Sequence, residues 1–111
     1  MDLKLNIYEK KNIIKTYTAE TYDLMFGICE DVAHAIDIDS LKTGSDTEIL
    51  KAILKLAMTS MDTIKLLMKD IFDGLTDEEI RKAKIKEMAQ VLVDVVKYTI
   101  SQLNLGVNSK N

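Results

Sequence analysis

Between Ser45 and Gly74 the residues Leu50, Leu54, Ala57, Met61, Ile64, Met68 and Ile71, with Leu75 just beyond, recur alternately four and three positions apart. That spacing keeps one stripe of a helix facing a partner, and it defines a heptad seam. Ile49, Ile53, Leu56 and Leu67 add a second apolar flank, which leaves Lys51, Lys55, Thr59, Asp62, Lys65, Lys69 and Asp73 for water. A helix with two apolar sides needs cover on both. The segment is therefore predicted to be one long helix, entered through Ser45 and Glu48 with the spacing of a capping box and stopped by Gly74.

The flanking segments extend the pattern. Leu3, Leu5 and Ile7 alternate with Lys4, Asn6 and Tyr8, a polar break follows from Glu9 to Asn12, and Ile13 to Thr18 is rich in β-branched and aromatic residues. This predicts a β-hairpin. Two strands alone are marginal in water, so the apolar face must lie on helices or extend a sheet shared with another copy. From Glu20 the period becomes helical, with Tyr22, Met25, Phe26, Cys29, Val32, Ala33 and Ile36 on one face. Thr76 and Glu79 form another capping box, strengthened by Asp77 and Glu78 near the helix N-terminus. A short first turn should precede a longer helix from about Ile85 to Leu103, with Ile85, Met88, Ala89, Leu92, Val96 and Leu103 as its stripe. The predicted fold is mostly α, an N-terminal β-hairpin followed by three main helices with a short extra helical turn. One domain spans 1–111, as a hairpin over 1–19, a helical body over 20–105 and a frayed tail over 106–111.

Length and composition narrow the function. A chain of 111 residues with 47% hydrophobic and 30% charged residues has enough apolar material for one core. Its net charge is −3 and Arg81 is its only arginine, so nucleic acid would meet net repulsion and almost no guanidinium forks. Cys29 has no second cysteine to pair with, which fits a reducing cytoplasm. The polar residues scattered through Met1 to Lys15 break any signal-peptide stretch, and no run approaches the ~18 apolar residues of a membrane span.

Catalytic and metal-binding patterns are weak. Asp37, Asp39 and Glu48 fall at positions 1, 3 and 12 of an EF-hand loop, but Lys42 stands where a glycine must turn and Leu41 where an oxygen ligand belongs. An acidic, capped interhelical loop is the better reading. Cys29 and His34 are five residues apart on a helix, about 140° around it, so they do not make a nucleophile and base. Asp77, Glu78 and Glu79 are explained by capping, and Lys82, Lys84 and Lys86 by a solvated turn. No enzyme activity, cofactor or metal is expected.

What stands out is more apolar helical surface than three helices and a hairpin can cover among themselves. Burying a Leu or Ile side chain contributes roughly 1.5 to 3 kcal/mol, so four left bare would forfeit an amount comparable to a domain's net stability. A homo-oligomer or a captured helix would supply cover; a compact monomer is the alternative. The six methionines either fill core gaps or adapt a groove to a partner. The residues expected to meet that partner are Leu50, Leu54, Met58, Met61, Ile64 and Met68.

The run NIYEKKNIIKTYTAETYDLMFGICED from Asn6 to Asp31, and the later stretch from Lys42 to Asp94 containing KTGSDTEILK, SMDTIKLLMKDIFDGLTDEEI and VLVDV, resemble the tail assembly chaperones of long-tailed phages and prophages of Gram-positive bacteria. The resemblance covers nearly the whole chain and rests on overall pattern, with no catalytic or ligand motif to carry over. It implies a small helical protein that binds the tape measure protein, keeps it soluble in the host cytoplasm, hands it to the major tail protein and is missing from the mature virion. The rival reading is a small structural virion protein such as a head-tail connector, or another helical interaction module. The resemblance also implies a longer form made by frameshifting. Lys110 and Asn111 permit AAA AAC, which after a Ser109 codon ending in A spells a slippery heptamer that the gene sequence would show.

Overall fold

Alternation sets the first two elements. In the computed structural model, which describes residues 2–37, 41 and 45–108, β1 (Asp2–Glu9) and β2 (Asn12–Glu20) form an antiparallel pair. Asp2 lies opposite Glu20 and Ile7 opposite Lys15. Tyr8 then faces Ile13, so Ile14 is the extra residue of a β-bulge. Lys10 makes the tight turn at φ 56°, a left-handed conformation that costs a side-chain-bearing residue roughly 1 kcal/mol.

Leu3, Leu5 and Ile7 are buried, and β1 packs on the last helix. The outer side of β1 is closed as well. Tyr8 N–H donates to the Lys82 carbonyl at 2.9 Å, Ile7 bridges Ala83, and Asn6 N–H donates to Glu87 Oε1 at 3.1 Å. The Tyr8 hydroxyl donates to the other oxygen of Glu87, and Lys84 Nζ stands 4.4 Å over the Tyr8 ring. One carboxylate thus satisfies a strand edge that would otherwise be open to pairing.

The helical body differs from the sequence expectation in two places. The helix predicted from Glu20 starts at Phe26: β2 runs to Glu20, a 3₁₀ turn covers Thr21–Asp23, and only then does α1 (Phe26–Ala35) begin. Its buried side is Ile28, Val32 and the capping Ile36, while Tyr22, Met25 and Phe26 are exposed. The predicted stripe shared the helical period but began in residues that are strand and turn. Val32 and Ile36 of that stripe are buried as expected, but Ile28 joins them in place of Met25 and Phe26, so the buried side is turned toward the row Ile28, Val32 and Ile36.

The second correction is larger. The continuous helix over 45–75 is broken at Ser60, giving α2 (Asp46–Thr59) and α3 (Met61–Ile71). Ser60 has φ −156° and ψ 79°, outside the helical region. The hydroxyls nearby bond locally: Thr59 Oγ1 to the carbonyls of Lys55 and Leu56, and Ser60 Oγ with Thr63 Oγ1 at 2.7 Å. Such bonds compete with helix continuation. α2 buries Ile49, Ile53 and Leu56, whereas α3 buries Ile64, Leu67, Met68 and Ile71. Continued along a straight helix, the α2 stripe would meet Ser60, Thr63 and Asp70, with only Leu67 apolar among them, so the break brings the neighbouring stripe of Ile64, Met68 and Ile71 into the core beside Leu67.

The remaining elements match their local signals. Ser45 Oγ accepts from Glu48 N–H at 3.3 Å, and Thr76 with Glu79 forms both arms of a capping box at the start of α4 (Asp77–Ile80). α5 spans Ile85–Asn108, extending beyond Leu105, where the helical body was expected to end; residues 109–111 lie outside the described part. Val91, Leu92, Val93, Val95 and Val96 are buried, but Ile85, placed on the stripe by its spacing, is exposed. α5 contacts β1, α1 and α2, and α3 contacts α1 and α2. Lys97 pairs with Asp46 at 3.0 Å and Lys69 with Asp77 at 2.6 Å.

β2 contributes Tyr17 to the core. Its ring stands 6.2 Å from that of Phe72, and its hydroxyl donates toward Glu79 Oε1 at 2.5 Å and the Gly74 carbonyl at 3.2 Å. Bonds from Tyr17 first, then from Thr76 and Lys15, hold the Glu79 carboxyl below its ordinary value of 4.5. At Glu87 burial pushes upward, but the bonds from Tyr8 and Asn6 outweigh it and the pKa is lowered. Both groups release protons more readily in the folded chain. Their contribution is complete above the unfolded value and is lost as pH falls through the folded values. Thermal midpoints are accordingly expected to drop on acidification below about pH 4.5, and the double variant Glu79→Gln, Glu87→Gln should show a shallower drop. Removing the cap with Thr76→Ala should cost about 1 kcal/mol in urea unfolding.

Candidate protein-binding surface

Of the six residues expected to meet a partner, the structure leaves four exposed. Leu50, Leu54 and Met58 follow one another at four-residue steps along α2, and Met61 opens α3 just across the Ser60 break. Leu54 is 49% exposed, Met58 88% and Met61 48%. Ile64 and Met68 are withdrawn, at 3% and 0%, because the break turns their stripe into the core. They are corrected from surface to core residues.

The row exists because α2 is apolar on two sides and the fold covers only one. Ile49, Ile53 and Leu56 meet the body of the protein, and Ala57 is half-buried against it. Leu50, Leu54 and Met58 lie about 100° further round and meet nothing equivalent. Exposed Lys51 and Lys55 flank them. Methionine at the most exposed position gives an unbranched, polarizable side chain that fits partners of varied shape.

A second apolar surface lies where α1 crosses α5. Leu24, Phe26, Cys29, Ala33 and Tyr98, with Glu30, Thr99 and Gln102, line a groove of about 470 Å³. Phe26 at its mouth is 76% exposed, and Met25 is similarly bare. The helical spacing puts Met25, Phe26, Cys29 and Ala33 on one apolar face with Val32 and Ile36. The signal that separates them is Ile28, which completes a four-residue row with Val32 and Ile36 that takes the buried side of α1. The methionines divide in the same way: Met68 fills the core, whereas Met25, Met58 and Met61 are open.

Chemistry-bearing side chains are dispersed. Cys29 is half-buried in the groove wall and His34 is exposed. Of the residues considered for calcium, Asp37 and Glu48 are described and Asp39 lies outside the described residues. Among the described residues no cluster of His, Cys, Asp or Glu is arranged to hold a metal ion, and no helix is long and apolar enough to cross a membrane. Comparison with protein-family models, curated proteins and solved structures gives no match.

The two classes of residue should respond oppositely to substitution. Leu54→Asp and Met58→Asp, on the open row, are expected to change unfolding free energy by no more than about 0.5 kcal/mol. Met68→Ala, in the core, should cost about 2 to 5 kcal/mol. Chemical denaturation of the three variants checks both.

Proposed function

We propose that this protein is a binding protein without catalytic activity, a tail assembly chaperone that holds the tape measure protein through an amphipathic helical segment until the tail tube closes around it. The observation that carries this reading is the set Leu50, Leu54 and Met58 on α2 and Met61 at the start of α3, apolar and open, with the α2 residues about 100° round from the side that forms the core. Leu50, Leu54 and Met58, at four-residue steps, match the geometry of helix-on-helix packing. A tape measure protein is a long helical chain whose own apolar stripe needs temporary cover, and the resemblance of the stretches from Asn6 to Asp31 and from Lys42 to Asp94 to the tail assembly chaperones supports that client.

Size of effect agrees with capture and release. Covering four such side chains supplies several kcal/mol from apolar burial, at roughly 1.5 to 3 kcal/mol for each one fully covered. Part of that is spent on ordering flexible methionines and losing free motion, leaving an affinity that a tail protein can displace. The proposed setting is the bacterial host cytoplasm, with the major tail protein as the partner that receives the client.

Co-expression with the tape measure protein decides the matter. The client is expected to be soluble and to co-purify with the native chain, and to return to the pellet with the Leu54→Asp, Met58→Asp double variant. A client that stays insoluble beside the native chain sinks the assignment. Mass spectrometry of purified virions is expected to lack this protein; finding it there in stoichiometric amount would favour a head-tail connector or another structural component.

A further inference from the structure

β2 ends the sheet. Its one strand neighbour is β1, and among the described residues no backbone hydrogen bond reaches its outer side. The direction of its free groups can be derived. Asn6 turns its N–H away from β2 to meet Glu87, and residues directly opposite in an antiparallel ladder either bond each other or both face away. Thr16, opposite Asn6, therefore directs its N–H and C=O outward.

Exposed edges are usually blunted by proline, by charge, by a bulge or by being short. β2 is nine residues long and has no proline, and its bulge at Ile14 lies toward the turn, leaving Lys15 to Glu20 in regular register with β1. Lys15 is drawn to Glu79 at 3.3 Å, so it does not guard the edge. Ile13 and Ile14 are each 54% exposed. The edge is thus equipped to accept another strand, and charge identifies which one.

The two ends of the hairpin carry opposite charge. Lys10 and Lys11 form the turn, with Glu9 beside them; Asp2, Glu20 and Asp23 gather at the far end, with Lys4 beside them. Crowding there is real, since hydrogen bonding to Asp2 raises the Glu20 carboxyl above its ordinary value. A second copy laid antiparallel reverses this polarity, bringing the lysines of each turn to the acidic end of the other chain. A parallel arrangement would stack like on like.

We propose that two copies of this chain pair β2 against β2, antiparallel and centred near Thr16, to form a continuous four-stranded sheet. The contact is isologous, each chain giving the other the same set of main-chain groups. Four strands with one face on helices also remove the weakness of a two-stranded ribbon. The pairing uses neither Leu54 nor Met58, so it stands or falls separately from client binding.

Sedimentation velocity of the full chain across a range of concentrations tests it. The native protein should form a dimer whose dissociation constant rises with salt. Thr16→Pro removes an outward main-chain donor and, within the hairpin, only the exposed bond from Thr16 Oγ1 to Asn6 Oδ1 at 2.8 Å, which Thr16→Val removes alone; the proline variant should keep the circular dichroism of the valine variant and weaken the dimer by about tenfold or more beyond it. A charge exchange provides the control should that variant fold poorly. Lys10→Glu, Lys11→Glu makes both ends acidic, and Glu20→Lys, Asp23→Lys makes both ends basic. Each variant alone should be monomeric, and a mixture of the two should recover the dimer. A native chain that sediments as a monomer throughout, a dimer indifferent to Thr16→Pro, or charge variants whose mixture behaves like its components would overturn the pairing.

Discussion

Cover for the apolar row Leu3, Leu5 and Ile7 is the constraint on which this fold rests. A two-stranded ribbon cannot hide such a row by itself, so a second layer must be supplied, and α5 supplies it. The dependence runs both ways. Buried Val91, Val93, Val95 and Val96 are β-branched and gain little from intrinsic helix propensity, so this stretch of α5 draws its stability from packing. Glu87 then fixes the register between the layers, because its two oxygens take one main-chain donor and one phenol from the same strand.

The second organising event is the hand-over at Ser60. α2 and α3 together carry two apolar stripes, and a straight helix would have offered one of them to the core for its whole length. By breaking, the chain buries the flank Ile49, Ile53 and Leu56 in α2 and the seam residues Ile64, Met68 and Ile71 in α3. The unused half of the seam, Leu50, Leu54 and Met61, is what remains outside, and Met58, on neither stripe, is exposed with it. The surface proposed to bind a client is thus a by-product of how the core was completed.

Features with a local cause were legible in the amino-acid order. The alternation in β1, the Thr76–Glu79 box, the short turn before α5 and the polar break at the hairpin tip each depend on a few neighbouring residues. Phase was not legible, because apolar residues of equal quality occupy adjacent stripes: Ile49, Ile53 and Leu56 against Leu50, Leu54 and Ala57, or Ile28 and Val32 against Cys29 and Ala33. Only the positions of other elements choose between them. That is why Ile64 and Met68 were misplaced while their four companions were found outside, and why Phe26 was expected in the core. Glu87 gave no sign of its role, since a single acid on a helix carries no mark of the strand it will meet.

The Asn6–Glu87 contact joins residues 81 positions apart. A hairpin can close in microseconds, yet the helix that must shield it leaves the ribosome on the order of ten seconds later. Throughout that interval Leu3, Leu5 and Ile7 are bare on a nascent chain, beside the sisters being made along the same messenger. Completion of this fold therefore waits for α5, and the later half of the sequence decides when the hairpin is covered.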